Sequence, residues 1–137
     1  MDAEEIKRDR QGIIAKCGEW SDHNIKLMDD VYTISPTGTV SPKLQRVLQI
    51  VSDMARKPLR EMRVLDLACL EGMYGIEFAL QGAQVLAVEG RETNITKARF
   101  SKRALGLDNI DFMQGDVCDL SPETHGRFDV VLCLAVC

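Results

Sequence analysis

Cysteine pairing is the first thing this chain lacks. Its five cysteines, Cys17, Cys69, Cys118, Cys133 and Cys137, are odd in number, scattered, and contain no C-x-x-C. That argues against a disulfide framework and against a structural zinc site. Reduced cysteines acting as small apolar side chains remain, and no metal site is expected. Positive charge is short as well: the formal net charge is −4 and the pI about 5.2. The whole-chain footprint of a nucleic-acid binder is therefore absent, which leaves only a local basic patch open. Long apolar runs are missing too. The longest, "VVLCLAVC" from Val130 to Cys137, falls far short of the ~20 residues a bilayer span needs. The opening "MDAEEIKRDR" is charged from its second residue, so no secretory signal is read there. The expectation is a cytoplasmic protein with no membrane partner. There are no internal repeats and no low-complexity tracts.

What is present suits one domain. At 137 residues and 45% hydrophobic, the chain can build one core. Residues 3–16 read as a weak, mostly polar helix broken by Gly12, and residues 17–40 carry turn formers without a steady period. "SPKLQRVLQIVSDMARKP" is a clear helix. Ser41 can cap it, Pro42 suits its first position, and Leu44, Val47, Leu48, Val51, Met54 and Ala55 share one face before Pro58 ends it. Beyond Pro58 the pattern alternates. Strands are expected at "RVLDLA", "QVLAVEG", "NIDFMQGD" and "FDVVLCLAV". Helices are expected at "MYGIEFALQG", closed by Gly82, and "RETNITKARFSKRALG", closed by Gly106. Short apolar strands alternating with helices are the pattern of βαβ units. Apolar on both faces, these strands fit a parallel sheet covered by helices on both sides. The fold class is thus α/β: a Rossmann-like, open, mainly parallel sheet with flanking helices, preceded by a helical N-terminal segment. Residues 1–40 form that segment, a possible lid, and 41–137 the ligand-binding unit.

Glycine is scarce where a nucleotide loop would need it. "VLDLACLEGMYG", Val64 to Gly75, reads as a strand running through a turn into a helix, the place where open α/β sheets hold ligands. Such loops usually carry three glycines, whereas Ala68 and Leu70 occupy two of those places. A leucine disfavours positive φ. The loop is therefore expected to pass Leu70 in a β or right-handed α conformation, with the side chain turned away from any ligand.

Three acids follow the same edge. Asp66 ends the first of the four strands. Glu89 ends the second, roughly 20 residues on, where a carboxylate can accept from both hydroxyls of a ribose. Asp116 ends the third in "MQGDV", where it can accept from an exocyclic amine such as that of adenine while the Val117 N–H faces a ring nitrogen. Each has a structural alternative: Glu89 as a charge at a helix N-terminus, Asp116 as a turn or cap. Three acids at three successive strand tips are harder to dismiss than any one.

With these residues in view, "VLDLACLEG", "VLAVEGRETNITKAR", "DFMQGDVCDL" and "FDVVLCLAV" resemble, in order and spacing, the cofactor motifs of class I S-adenosylmethionine-dependent methyltransferases over roughly residues 60–137. The upstream "WSDHNIKLMDDVYT", Trp20 to Thr33, is similar to a lead-in segment of methyltransferase-like proteins related to those acting on the tRNA wobble uridine. The resemblance implies S-adenosyl-L-methionine as cofactor. It puts Asp66, Ala68, Cys69 and Gly72 on the loop past the cofactor's amino-acid part, and Glu89, with Gly90 and Arg91 beside it, on the ribose. Asp116 and Val117 fall on the adenine, and Leu134 near the methyl group. The family loop is usually acid-x-Gly-x-Gly-x-Gly, and Ala68 and Leu70 depart from it.

The function this implies is methyl transfer to an unidentified acceptor. A nicotinamide-dependent oxidoreductase and a non-catalytic cofactor-binding module stand as alternatives, the former weakened because Ala68 and Leu70 spoil G-x-G-x-x-G. The chain ends inside the fourth strand, which gives the expectation of a cofactor half without its acceptor half, inactive by itself, and associating with a second copy through that strand. Trp20, His23 and Tyr32 have two readings. In one they are part of a lid over the cofactor or acceptor. In the plainer one Trp20 and Tyr32 cover the core and His23 is a surface residue, the reading favoured for His23 because no partner acid or metal-ligand spacing accompanies it.

Overall fold

A computed structural model describes residues 1–36 and 41–134. The chain opens on helix α1 (Ala3–Cys17), followed by a hairpin of β1 (Lys26–Met28) and β2 (Val31–Tyr32). Helix α2 (Pro42–Met54) leads through a 3-10 turn, Leu59–Glu61, into β3 (Arg63–Leu67). Then come α3 (Met73–Leu80), β4 (Gln84–Glu89), α4 (Glu92–Leu105) and β5 (Ile110–Gln114). A second 3-10 turn, Val117–Asp119, a short helix α5 (Pro122–His125) and β6 (Val130–Leu132) complete the described chain.

Strands β3 to β6 form one wholly parallel sheet in the order β5-β4-β3-β6. The four strands expected from the sequence are these four, and the last lies beside the first of them. The register sets Asp66 of β3 against Ala87 of β4 and Leu132 of β6, and Glu89 of β4 against Gln114 of β5. The carboxyl ends of β3, β4 and β5 therefore share one edge. Only the central pair lacks alternation: β4 is buried from Val85 onward except at half-buried Leu86, whereas β5 alternates between core and solvent. β6 is shorter than the run Phe128–Val136 suggested. Val131 is 55% exposed, so this strand has one covered face where two were expected. The final part of that expectation, residues 135–136, lies outside the described residues.

Three differences in the N-terminal part have physical causes. First, α1 runs unbroken through Gly12. The cost of one interior glycine, ~1 kcal/mol, is offset by a reciprocal cap. The Glu5 N–H donates to Asp2 Oδ1 at 2.9 Å, and the Asp2 N–H donates to Glu5 Oε2 at 3.3 Å. Second, residues 17–40 contain the β1–β2 hairpin, whose strands are too short for a readable period; Asp30, a residue type tolerant of left-handed backbone, takes its turn at φ +64°. Third, the segment shares the core of the sheet. Ile6, Trp20, Ile25, Leu27 and Val31 belong to one buried cluster with Val64, Phe78, Ile95, Phe100 and Ile110. The Trp20 ring lies 5.7 Å from that of Phe100 on α4. Helices α2, α3 and α4 form where the sequence places them, with Ser41 accepting from the Leu44 N–H at 3.3 Å at the start of α2. Among the described residues no helix is long and apolar enough to cross a membrane.

Candidate ligand-binding site

The loop from β3 to α3 carries three alternate residues in the left-handed region: Ala68 at φ +53°, Leu70 at φ +54° and Gly72 at φ +94°. The expectation for Leu70 is thus corrected. Side-chain sterics disfavour this conformation by ~1–2 kcal/mol per residue, but tertiary bonds hold it. The Cys69 N–H donates to the Val88 carbonyl at 2.9 Å, the Leu70 N–H to Glu89 Oε1 at 3.1 Å, and the Gly72 N–H to the Cys69 carbonyl at 3.0 Å. Space explains why one glycine is kept. A Cβ on Gly72 would lie 3.0 Å from the Phe112 ring and 3.2 Å from Ala98. No such neighbour is needed to explain Ala68 or Leu70, where a side chain fits.

Asp66 is 2% exposed, and its Oδ2 accepts from the Gly75 N–H at 3.2 Å in the first turn of α3. Burial pushes its pKa up to about 7; the Gly75 bond opposes this and the nearby Glu89 adds to it. Glu89, 4% exposed, accepts through Oε1 from Leu70 and through Oε2 from the Arg91 N–H at 3.2 Å and Asn94 Nδ2 at 2.9 Å. Three of a carboxylate's roughly four acceptor positions are thus filled. Of the two readings of Glu89, these bonds show the structural one: it anchors the N-terminus of α4 and ties the loop at Leu70 to it. Asp116 is exposed two residues beyond β5, and its Oδ1 accepts from the Cys118 N–H at 2.8 Å. That bond is the chief reason its carboxyl lies below the usual range. The Gly115 N–H donates to the Glu89 carbonyl at 3.1 Å, which keeps the β4 and β5 tips adjacent.

Sequence reasoning missed the residue that ties this edge to the rest. Glu71, with no exposure at all, accepts from the backbone N–H groups of Ser21 at 3.1 Å, Asp22 at 3.0 Å and His23 at 2.8 Å. It also pairs with Lys97 Nζ at 3.2 Å, and that ammonium donates to the Glu19 carbonyl at 2.7 Å. A buried carboxylate is tolerable only when so satisfied. His23, expected at the surface, is 6% exposed. Its Nδ1 accepts from the Met73 N–H at 3.2 Å and so caps α3, a role Gly72 cannot fill. Its ring meets Tyr74 edge-on at 5.7 Å. Burial pushes its pKa down.

A cleft of about 370 Å³ opens between the loop and the N-terminal segment. Of the residues expected at a site, Asp66, Ala68, Cys69 and Leu134 line it, joined by Leu70, His23, Lys43 and Tyr74. Gly72 is packed beneath, and Glu89 lies under the loop. Gly90, Arg91, Asp116 and Val117 are exposed at the neighbouring strand tips, outside the cleft. Cys69 is buried, and its thiol is pushed far above the usual range, first by burial and then by Asp66 and Glu89. Both effects disfavour the thiolate.

An open parallel sheet, a left-handed turn after its first strand, and acids along one edge define a family, and the sequence matches it. The chain belongs to a family of methyltransferase domains, which it matches over residues 59–137. It is 32% identical over 117 residues to the 23S rRNA (uracil(1939)-C(5))-methyltransferase RlmD of Shewanella halifaxensis, covering 82% of this chain and 25% of that protein. Over 72 residues it is 39% identical to the ubiquinone biosynthesis O-methyltransferase of Azotobacter vinelandii, covering 53% of this chain and 31% of that one. In three dimensions it is similar to the N-terminal domain of EvdMO1, crystallised in the presence of SAH and D-fucose. There the TM-score is 0.72 at 27% identity over 97% of this chain and 53% of that one. That last likeness takes in the N-terminal segment. The chain thus spans about half or less of each of these proteins.

Proposed function

We propose that this chain is the S-adenosylmethionine-binding part of a methyltransferase. The observation that carries the reading is the turn Ala68–Gly72. Two of its three left-handed residues are not glycine, and strain of that kind, ~1–3 kcal/mol per residue, concentrates at ligand sites. A mere connection from strand to helix has no need of it. The residues fit the cofactor: a buried carboxylate that ionises near neutrality suits a cationic ligand, and a 370 Å³ cleft beside it suits a small-molecule end group.

In this reading Asp66 faces the ammonium of the cofactor's amino-acid part while the backbone of Ala68 and Cys69 passes it. Glu89 accepts from the ribose with its remaining lone pair, flanked by Gly90 and Arg91. Asp116 keeps one oxygen for the adenine amine, and the Val117 N–H faces the ring. Leu134 covers the side of the methyl group. When bound, the cofactor supplies the activated methyl carbon. The chain's own residues bind it, orient it and exclude water from one side.

The two named relatives methylate different kinds of atom, a uracil carbon and an oxygen. What they share with this chain is therefore best read as the donor side, with the acceptor held by other residues. Thiols at Cys17, Cys69 and Cys118 that form no disulfide among the described residues support a cytoplasmic location. Calorimetry of the protein with S-adenosylhomocysteine and with NAD tests the reading. Binding of the first alone is expected; binding of NAD alone, or of neither, overturns it.

A further inference from the structure

The N-terminal segment and the start of α2 bring to the cleft polar groups that no strand tip supplies: Asp22 and His23 from the first, Ser41 and Lys43 from the second. His23 is the most constrained of them. Its backbone N–H is held by Glu71 at 2.8 Å and its Nδ1 by the Met73 N–H at 3.2 Å, so the ring has a fixed position and a fixed tautomer. Because Nδ1 accepts, the proton of the neutral ring sits on Nε2. Burial keeps the ring neutral, helped by Lys43 and opposed by Glu71 and Asp22. Nε2 has no partner among the described residues and is not among the polar atoms sealed from solvent. On a ring that lines the cleft, that makes it an available donor. Lys43 makes no ion pair among the described residues, and its ammonium lies 5.9 Å from the centre of the Tyr74 ring. The cleft thus has a carboxylate, Asp66, on its sheet side, and a neutral donor and a cation on its N-terminal side.

We infer that His23 and Lys43 form a carboxylate subsite for the amino-acid end of the bound molecule, and that Glu71 is the positioning residue that seats His23. This rests on the reading of the cleft as a cofactor site. A ligand with an ammonium and a carboxylate then lies across the cleft, ammonium toward Asp66 and carboxylate toward His23 and Lys43. Glu71 touches no ligand: it binds three successive N–H groups of the wall that carries the donor.

The test compares S-adenosylhomocysteine with its decarboxylated analogue, which keeps the ammonium, by calorimetry on the full chain. Wild type should bind the parent compound roughly tenfold or more tightly than the analogue, the worth of a charge-assisted hydrogen bond. His23→Asn retains an acceptor for the Met73 N–H but has no donor at the Nε2 position, and Lys43→Met removes only the charge. Both should bring the two affinities within about threefold of each other by weakening the parent compound alone. His23→Gln, which keeps a donor at Nε2 and loses the cap, should retain the discrimination while melting earlier. Glu71→Gln should reduce it and speed hydrogen exchange at Ser21–His23. Loss of both affinities by one common factor in His23→Asn and Lys43→Met, or equal binding of the two compounds by wild type, overturns the subsite and leaves the cofactor reading intact. Failure of wild type to bind either compound overturns both.

Discussion

Replacing Asp66 by Asn removes a carboxylate that is 2% exposed and ionises only near pH 7 in the folded chain. In the unfolded chain an aspartate ionises near 3.9. Between these values the folded state holds a proton that the unfolded state has lost, so stability falls as pH rises from ~4 to ~7. The penalty is absent below that window and complete above it. A shift of about three pKa units corresponds to about 4 kcal/mol at full ionisation. Water entering the cleft and small movements of the loop bring the expected difference to about 2–4 kcal/mol. Asparagine keeps an oxygen for the Gly75 N–H, which donates to Asp66 at 3.2 Å in the wild type, and carries no charge at any pH. Urea denaturation of both proteins at half-unit steps from pH 5 to pH 8.5 is the assay. His23, whose pKa is lowered on folding, contributes an opposite slope below its unfolded value. It does so equally in both proteins, so the difference curve isolates Asp66. Relative to wild type, Asp66→Asn should gain about 1.5 kcal/mol at pH 5 and about 2–4 kcal/mol at pH 8.5. Parallel curves across the range would refute the reasoning.

Three further outcomes are expected. At the turn, Leu70→Gly should stay within about 1 kcal/mol of wild type, relief of left-handed strain offsetting unfolded-state freedom; Leu70→Val, β-branched at φ +54°, should lose more than ~1 kcal/mol. Equal denaturation midpoints for the two variants would remove the strain argument. Glu71→Ala should cost about 3–5 kcal/mol, because it strands the Lys97 ammonium and three backbone donors, and a thermal melt reads this directly. We also propose that the chain self-associates through β6, which pairs with β3 on one side and with no strand on the other among the described residues. Sedimentation across a concentration series should show dimers that Val131→Lys abolishes; a monomer at all concentrations would sink the idea.

The sheet was legible because its strands and helices declare themselves by period. "QVLAVE" reads as a strand and "ETNITKARFSKRAL" as a charged amphipathic helix closed by Gly106. Helix α2 announced its start through Ser41 and Pro42. Parallel pairing then follows from the alternation, and with it the shared edge of Asp66, Glu89 and Asp116. The unbroken α1 carried a signal in Asp2 and Glu5, a capping box that outweighs Gly12. The conformation of Leu70 did not follow, because the side chain argues one way and partners elsewhere in the chain, the Val88 carbonyl and Glu89, decide the other. Glu71 and His23 were hidden for the same reason. A carboxylate beside a glycine in a turn looks solvated, and its donors lie about 50 residues before it and, at Lys97, 26 residues after it. The hairpin of β1 and β2 has strands of three and two residues, too few for any period.

The most direct test of the site is a titration of isotope-labelled protein with S-adenosylhomocysteine, followed at every backbone amide. Saturable shifts are expected at Asp66–Gly72, at Glu89–Arg91 and at Asp116–Cys118, three separate strand tips responding with one dissociation constant, and at His23 across the cleft. Shifts confined to residues away from the carboxyl edge of β3, β4 and β5, or no saturable shift at all, would contradict the assignment of this edge as the cofactor site.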